Sequence, residues 1–155
     1  MSSIRKRFDP ELYRINDELA KSTVRKIIDK RKFKIEENSK KTGVDLLVYN
    51  KGQHVLNIET EIKKVWKGSN FKYDSVQIPE RKKKFTGLEV PTLFVMFNED
   101  QTDYLVIKDK TLLASPLVEV PNKYVYKGEL FFQVPLADVV FNDINTVIKE
   151  VLNGK

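Results

Sequence analysis

The sequence predicts an α/β domain: a central mixed β-sheet flanked by helices. Three observations carry this. Leu12, Ile15, Leu19, Thr23 and Ile27 recur at spacings of three and four, the period of an amphipathic helix. Two β-rich runs flank the turn-forming Asn50-Lys51-Gly52-Gln53, which reads as a hairpin. A second helical period, Val139 to Leu152, closes the order helix, strands, helix, strands, helix.

Asp9-Pro10 suits a helix start, Asp as N-cap and Pro at the first helical position, so the first helix is expected over about 10–30. Arg25, Lys26 and Lys30 in its last turn suit the macrodipole. Phe33 to Glu36 is expected to form a short strand, followed by the polar turn Asn38-Ser39-Lys40-Lys41-Thr42-Gly43. Val44 to Tyr49 and His54 to Lys63 are the hairpin strands, and Trp66 to Tyr73 reads as a loop. Pro79 opens a basic helix of roughly 79–87 that stops at Gly87. Thr92 to Phe97 is a buried-type strand and Tyr104 to Lys108 another, with further strands near 124–126 and 130–134. A chain of 155 residues suits one domain, 1–155, with its core over about 10–110 and the remaining strands and helix over 111–155.

Composition removes several function classes. With no cysteine there is no disulfide framework, thiolate nucleophile, zinc finger or iron–sulfur cluster. A single histidine argues against a Ser–His hydrolase and a multi-histidine metal site. The longest apolar run, Leu93 to Phe97, is five residues, too short to span a membrane, and the first twelve residues lack the apolar stretch of a signal peptide. A soluble, cytoplasmic protein is expected, in the host cytoplasm if the chain is phage-encoded.

The net charge of +6 is unevenly placed. Residues 1–41 hold 13 basic and 7 acidic side chains, and residues 63–84 hold eight against two. Between them, residues 42–62 hold one lysine against Asp45, Glu59 and Glu61. Basic surfaces draw polyanions by counterion release and long-range attraction. A solvated, solubility-promoting surface is the plain alternative.

On a strand, Asn57, Glu59, Glu61 and Lys63 share one face, and Leu56, Ile58, Thr60 and Ile62 the other. Asp45 joins the polar face if the hairpin loop has an odd number of residues, or an even number with a bulge. Converging carboxylates repel unless a cation lies among them, and all-oxygen ligands select Mg²⁺ or Mn²⁺. Such an ion suits phosphodiester hydrolysis. Alternatively, these acids sit on a solvated face and pair with nearby lysines.

Gly43-Val44-Asp45, a hairpin, and then apolar-Ile58-Glu59 resembles the PD-(D/E)XK nuclease superfamily, most closely its Holliday junction resolvase and restriction-endonuclease-like branch. The resemblance covers about residues 10–110 and rests on a short, degenerate motif. It implies a restriction-endonuclease-like core and a Mg²⁺- or Mn²⁺-dependent DNA endonuclease acting as a homodimer. It places Asp45 and Glu59 as metal ligands and Asn16-Asp17-Glu18-Leu19 where the family's helix Glu stands, making Glu18 a further ligand. Gln77-Ile78-Pro79-Glu80-Arg81-Lys82 falls where the later helix begins. One position departs: two residues after Glu59 the family has Lys, and this chain has Glu61. The register Glu61-Ile62-Lys63 restores Glu-x-Lys two residues later. The preferred assignment is Asp45, Glu59 and Glu61 on the metal, with Lys63 as auxiliary.

Gln77, Arg81, Lys82 and Lys84 surround a helix start, where N–H groups and cations hold phosphate; an ordinary basic surface is the alternative. Trp66, Phe71 and Tyr73 interleave with Lys64, Lys67 and Lys72, a pattern for stacking bases or for anchoring a loop. Lys40 and Lys41, in the polar turn, extend the nucleic-acid-binding set. His54, at a turn exit, reads as structural or surface and not catalytic, Phe94, Met96 and Phe97 as core, and the last helix as core or dimer contact. Two other function classes remain: an inactive nuclease-fold module that binds nucleic acid, and a small regulatory protein-interaction domain.

Overall fold

A computed structural model of the chain describes residues 10–40, 43–122 and 125–154. Its elements are α1 (Pro10–Ile27), β1 (Lys34–Glu37), β2 (Leu46–Asn50), β3 (Gln53–Ile62), β4 (Ser75–Pro79), β5 (Thr92–Phe97), β6 (Tyr104–Lys108), α2 (Asp109–Ala114), β7 (Leu117–Asn122), β8 (Val125–Pro135), β9 (Val140–Phe141) and α3 (Ile144–Leu152). Short 3₁₀ segments cover Glu80–Phe85 and Leu136–Asp138. The fold is α/β with a mixed sheet, as expected. Among the described residues, no helix is long and apolar enough to cross a membrane.

Six strands form the main sheet in the order β1-β2-β3-β5-β6-β9. β1, β2 and β3 pair antiparallel, β3 pairs β5 in parallel, and β5, β6 and β9 pair antiparallel. One face packs on α1 and α3 through Ala20, Val24, Ile144, Val147 and Ile148, with Ile28 just past the end of α1, and these meet Leu56, Ile58, Val95 and Phe97. The other face is covered by a three-stranded sheet, β4-β8-β7, whose Val76, Ile78, Phe132 and Val134 meet Phe94, Met96, Leu105 and Ile107. With both faces covered, β5 is buried at every position, so its sequence is an unbroken apolar run.

Several elements differ from expectation, each for a local reason. The basic helix expected over 79–87 is a six-residue 3₁₀ segment, because Phe85 is its one buried residue and no apolar stripe holds a longer helix. The last helix starts at Ile144 rather than Val139. Val140 and Phe141 pair instead with β6, Asn142 turns the chain at φ 55°, and Asp143 caps the helix by accepting from the Thr146 N–H. The strands expected near 124–126 and 130–134 belong to one strand, β8; residue 124 and the expected N-cap Asp9 lie outside the described residues.

α1 is also rotated from its expected face. Ile15 and Leu19 are 43% and 44% exposed, while Ala20, Val24 and Ile28 are buried. Alanine's small side chain lets the helix approach the sheet closely, so the buried stripe follows the four-residue row 20-24-28 rather than the bulkier residues. The side chain of Leu12 lies outside the described residues.

Candidate active site

β2 and β3 join through the two-residue turn Lys51-Gly52, both residues at positive φ (52° and 79°), as tight hairpins of the mirror-image type require. This loop is even. Parity is restored by a bulge: Val48 pairs Leu56 and Tyr49 pairs His54, leaving Val55 without a partner. The same ladder continues to Leu46 opposite Ile58, and one step further sets Asp45 beside Glu59.

There β2 ends while β3 runs on to Ile62, so the edge of β3 from Glu59 onward is left without a strand. Asp45 supplies what the missing strand would. Its Oδ2 accepts from the Thr60 backbone N–H at 2.8 Å and from Thr60 Oγ1 at 3.3 Å. A cleft of about 240 Å³ opens at this point, lined from α1 by Asn16, Asp17 and Ala20 and from the sheet by Asp45, Glu59 and Glu61, with Arg81 and Lys82 closing it.

Glu59 is the buried member of this group, 7% exposed. Ile78, Phe94 and Met96 line the space behind it. Desolvation, then the hydrogen bond and charge of Asp45, push its carboxyl up to about 9; Lys82 opposes the shift and Asp17 adds to it. Lys82 Nζ lies 3.7 Å from Glu59 Oε1, whereas Oε2 is buried with no hydrogen-bond partner. Two adjacent carboxylates with an orphaned oxygen offer hard, all-oxygen donors, the chemistry that suits Mg²⁺ or Mn²⁺.

Glu61 stands at the rim, its side chain 38% exposed and its Oε2 3.8 Å from Lys63 Nζ. Among the described residues, no group of three or more histidines, aspartates or glutamates is arranged to hold a metal. The assembled core of the site is therefore the Asp45–Glu59 pair, with Glu61 drawn toward Lys63.

No protein-family model and no curated protein matches this chain.

The rotation of α1 changes the helix acid. Glu18 has a side chain 54% exposed and lies 4.0 Å from Lys21, outside the cleft lining. Asp17 lines the cleft in its place, held by Lys21 at 3.0 Å, and Lys21 also bonds Glu37 of β1 at 2.9 Å. Burial works against the Lys21 ammonium, but its hydrogen bonds to Glu37 and Asp17 outweigh that and hold its pKa above the lysine range. The four-residue row 20-24-28, extended back three positions from Ala20, is the sequence signal that points to Asp17.

The remaining expected residues are dispersed. Lys63 lies past the cleft and lines a neighbouring groove with Gln77, which is exposed on β4. Lys64 and Lys67 are exposed on the loop after β3, and Lys84 is exposed with Nζ 5.0 Å from the centre of the Phe85 ring. Lys40 is exposed, and Lys41 lies outside the described residues. Trp66 is an anchor, 2% exposed and edge-on to Phe71 and Phe141. His54 bonds Asn57 Oδ1 at 2.8 Å and packs on Tyr49, a structural role.

A larger depression of about 430 Å³ lies at the hairpin end, among Lys30, Arg31, Lys32, Lys34 and Lys51. Its one carboxylate, Glu36, is 3.4 Å from Lys34, so it offers positive charge without the paired acids that reaction chemistry needs.

Proposed function

We propose that this chain is a metal-dependent endonuclease acting on DNA, with a restriction-endonuclease-like core. The observation that carries the reading is the Asp45–Glu59 pair where β2 leaves β3, with Lys82 3.7 Å from Glu59. Asp45 and Glu59 would hold Mg²⁺ or Mn²⁺, and the ion would supply Lewis-acid stabilisation of negative charge on the phosphate.

The chain's own residues do the rest. Asp45 is fixed by Thr60, so its carboxylate is already oriented when a ligand arrives. Lys82 and Arg81, both on the cleft, take a phosphate oxygen of the backbone, and Lys82 shifts its pairing from Glu59 to that phosphate. With a divalent ion bound, Glu59 would stand as the carboxylate, its proton released to solvent, because opposite charge offsets the cost of burying it. Asp17 and the Lys21 link brace the α1 wall. The basic stretches on either side of the acidic segment guide the strand toward the site.

Incubation with supercoiled plasmid, linear duplex and a four-way junction, with Mg²⁺, Mn²⁺ or EDTA, tests this. Cleavage is expected with a divalent ion and none in EDTA, and Asp45→Asn should abolish it while retaining the fold. No cleavage of any substrate with either ion would overturn the catalytic reading.

A second reading is favoured by one specific observation. Glu61 pairs with Lys63 instead of joining Asp45 and Glu59, which leaves two clustered carboxylates rather than three. A chain that binds nucleic acid without cutting it fits that arrangement. It is distinguished by salt-sensitive DNA binding that persists where cleavage is absent.

A further inference from the structure

Next to the carboxylate cleft lies a second concavity of about 490 Å³, within the roughly 300–1,000 Å³ typical of small-ligand clefts. The pair Glu61–Lys63 separates the two: Glu61 lines the cleft and Lys63 lines the groove. One wall is aromatic. Phe71 stands edge-on to buried Trp66, with ring centres 5.2 Å apart, and Tyr73 stands edge-on to Phe71 at 5.4 Å. This chain of rings fixes Tyr73 from the core outward, yet Tyr73 itself is 49% exposed.

Most of the remaining lining is polar, with Val65 the apolar exception. Gln77 of β4 and Gln133 of β8 are directly paired across the strands, so both amides project from the same face of the small sheet. Gln133 donates to Ser75 Oγ at 3.2 Å, which holds its amide in place and leaves its carbonyl oxygen free to accept. Asp74 adds a carboxylate, and the one cation, Lys63, is already beside Glu61.

This inventory discriminates between parts of a nucleotide. A phosphate is favoured by several cations or clustered N–H donors, and a lining with one lysine, already paired to Glu61, and the carboxylate of Asp74 offers it no net positive charge. A base edge offers adjacent donors and acceptors, which glutamine amides match in pairs and a carboxylate can accept from. A base also has a π-face for Tyr73.

We propose that this groove binds an unpaired nucleobase of the strand whose backbone lies at Asp45 and Glu59. The inference rests on the nucleic-acid reading of the cleft. Lys63 lies four residue steps beyond Glu59, roughly 13 Å along the line of β3, so the base belongs to a nucleotide near the one at the carboxylates and not to that nucleotide itself. A base paired within a duplex does not present its face to Tyr73, so the substrate is single-stranded or locally opened.

Fluorescence anisotropy in EDTA, with a mixed-sequence single-stranded 20-mer and an abasic oligomer of equal length, tests the proposal. The wild-type chain should bind the base-bearing strand at least about tenfold more tightly than the abasic one. Tyr73→Ala and Gln77→Ala should erase that difference while binding the abasic strand as the wild type does, which also reports an intact fold. Tyr73→Phe should restore it. The salt dependence should be the same in all variants, since phosphate contacts are untouched. If the wild type binds both strands equally, or Tyr73→Ala keeps the preference, the base site is refuted and the nucleic-acid reading stands. If the wild type binds neither strand, the reading beneath it fails as well.

Discussion

Replacing Glu59 by glutamine tests whether the polar face of β3 is as desolvated as its packing implies. In the folded chain the carboxyl is pushed up to about 9 from an ordinary value of 4.5, first by burial and then by Asp45. Between those values the native state holds a proton that the unfolded state has released. The stability tied to that proton is complete below about pH 4.5 and is lost as pH rises toward 9. One proton corresponds to about 1.4 kcal/mol per pH unit, or ~3–5 °C in Tm per unit for a chain of this size. Glu59→Gln mimics the protonated acid, because its amide donates to Asp45, and it removes the titration. Thermal melts in EDTA at pH 6, 7 and 8 should show the wild type losing Tm steadily against Glu59→Gln. Adding Mg²⁺ should recover the wild type at pH 8 and leave the variant unchanged. Parallel pH profiles for the two chains would refute the argument, since they would mean that Glu59 ionises in the fold as freely as in water.

The other expectations follow from the same geometry. Asp17→Asn should weaken Mg²⁺-dependent cleavage several-fold and Glu18→Gln should leave it unchanged, measured as initial rates on plasmid; the reverse order would place α1 in the wrong rotation. Lys82→Met should lower cleavage at least tenfold and weaken DNA binding at low salt more than at high salt, because on the proposed reading it removes a phosphate partner, the lysine 3.7 Å from Glu59. Trp66→Ala should cost about 3–5 kcal/mol in denaturant unfolding, as it empties a buried site against Phe71 and Phe141.

The parts of this fold legible in the sequence are those whose burial is uniform. β5 and β6 fall at Thr92–Phe97 and Tyr104–Lys108, as their apolar runs predict. The approach of Asp45 to Glu59 was legible only as a condition, since it depends on loop parity. The deciding residue is Val55, whose bulge carries no distinctive sequence mark. The buried face of α1 departs from the hydrophobic ranking for a physical reason. Hydrophobicity ranks Ile15 and Leu19 above Ala20, whereas close packing of helix on sheet favours the small residue, and that preference moves Asp17 in and Glu18 out. β4 left a two-residue alternation, Val76 and Ile78 buried about exposed Gln77, too short to stand out beside the basic run that follows.

β4 has the larger consequence. With β8 it lays Ile78 and Phe132 over the large sheet, on the face that carries Glu59. Without that cover, Asn57, Glu59, Glu61 and Lys63 would be the solvated face of an amphipathic strand, and pairing with lysines would suffice for them. With it, Glu59 is withdrawn from water while Glu61 and Lys63, nearer the end of β3, stay half-exposed and pair with each other. One packing event thus divides a row of polar residues into a buried acid and an ion pair at the rim. The outer face of the same strand, through Ser75 and Gln77, builds the neighbouring groove. The cleft and the groove therefore rest on one element, and a change that loosens β4 from β8 should disturb both together.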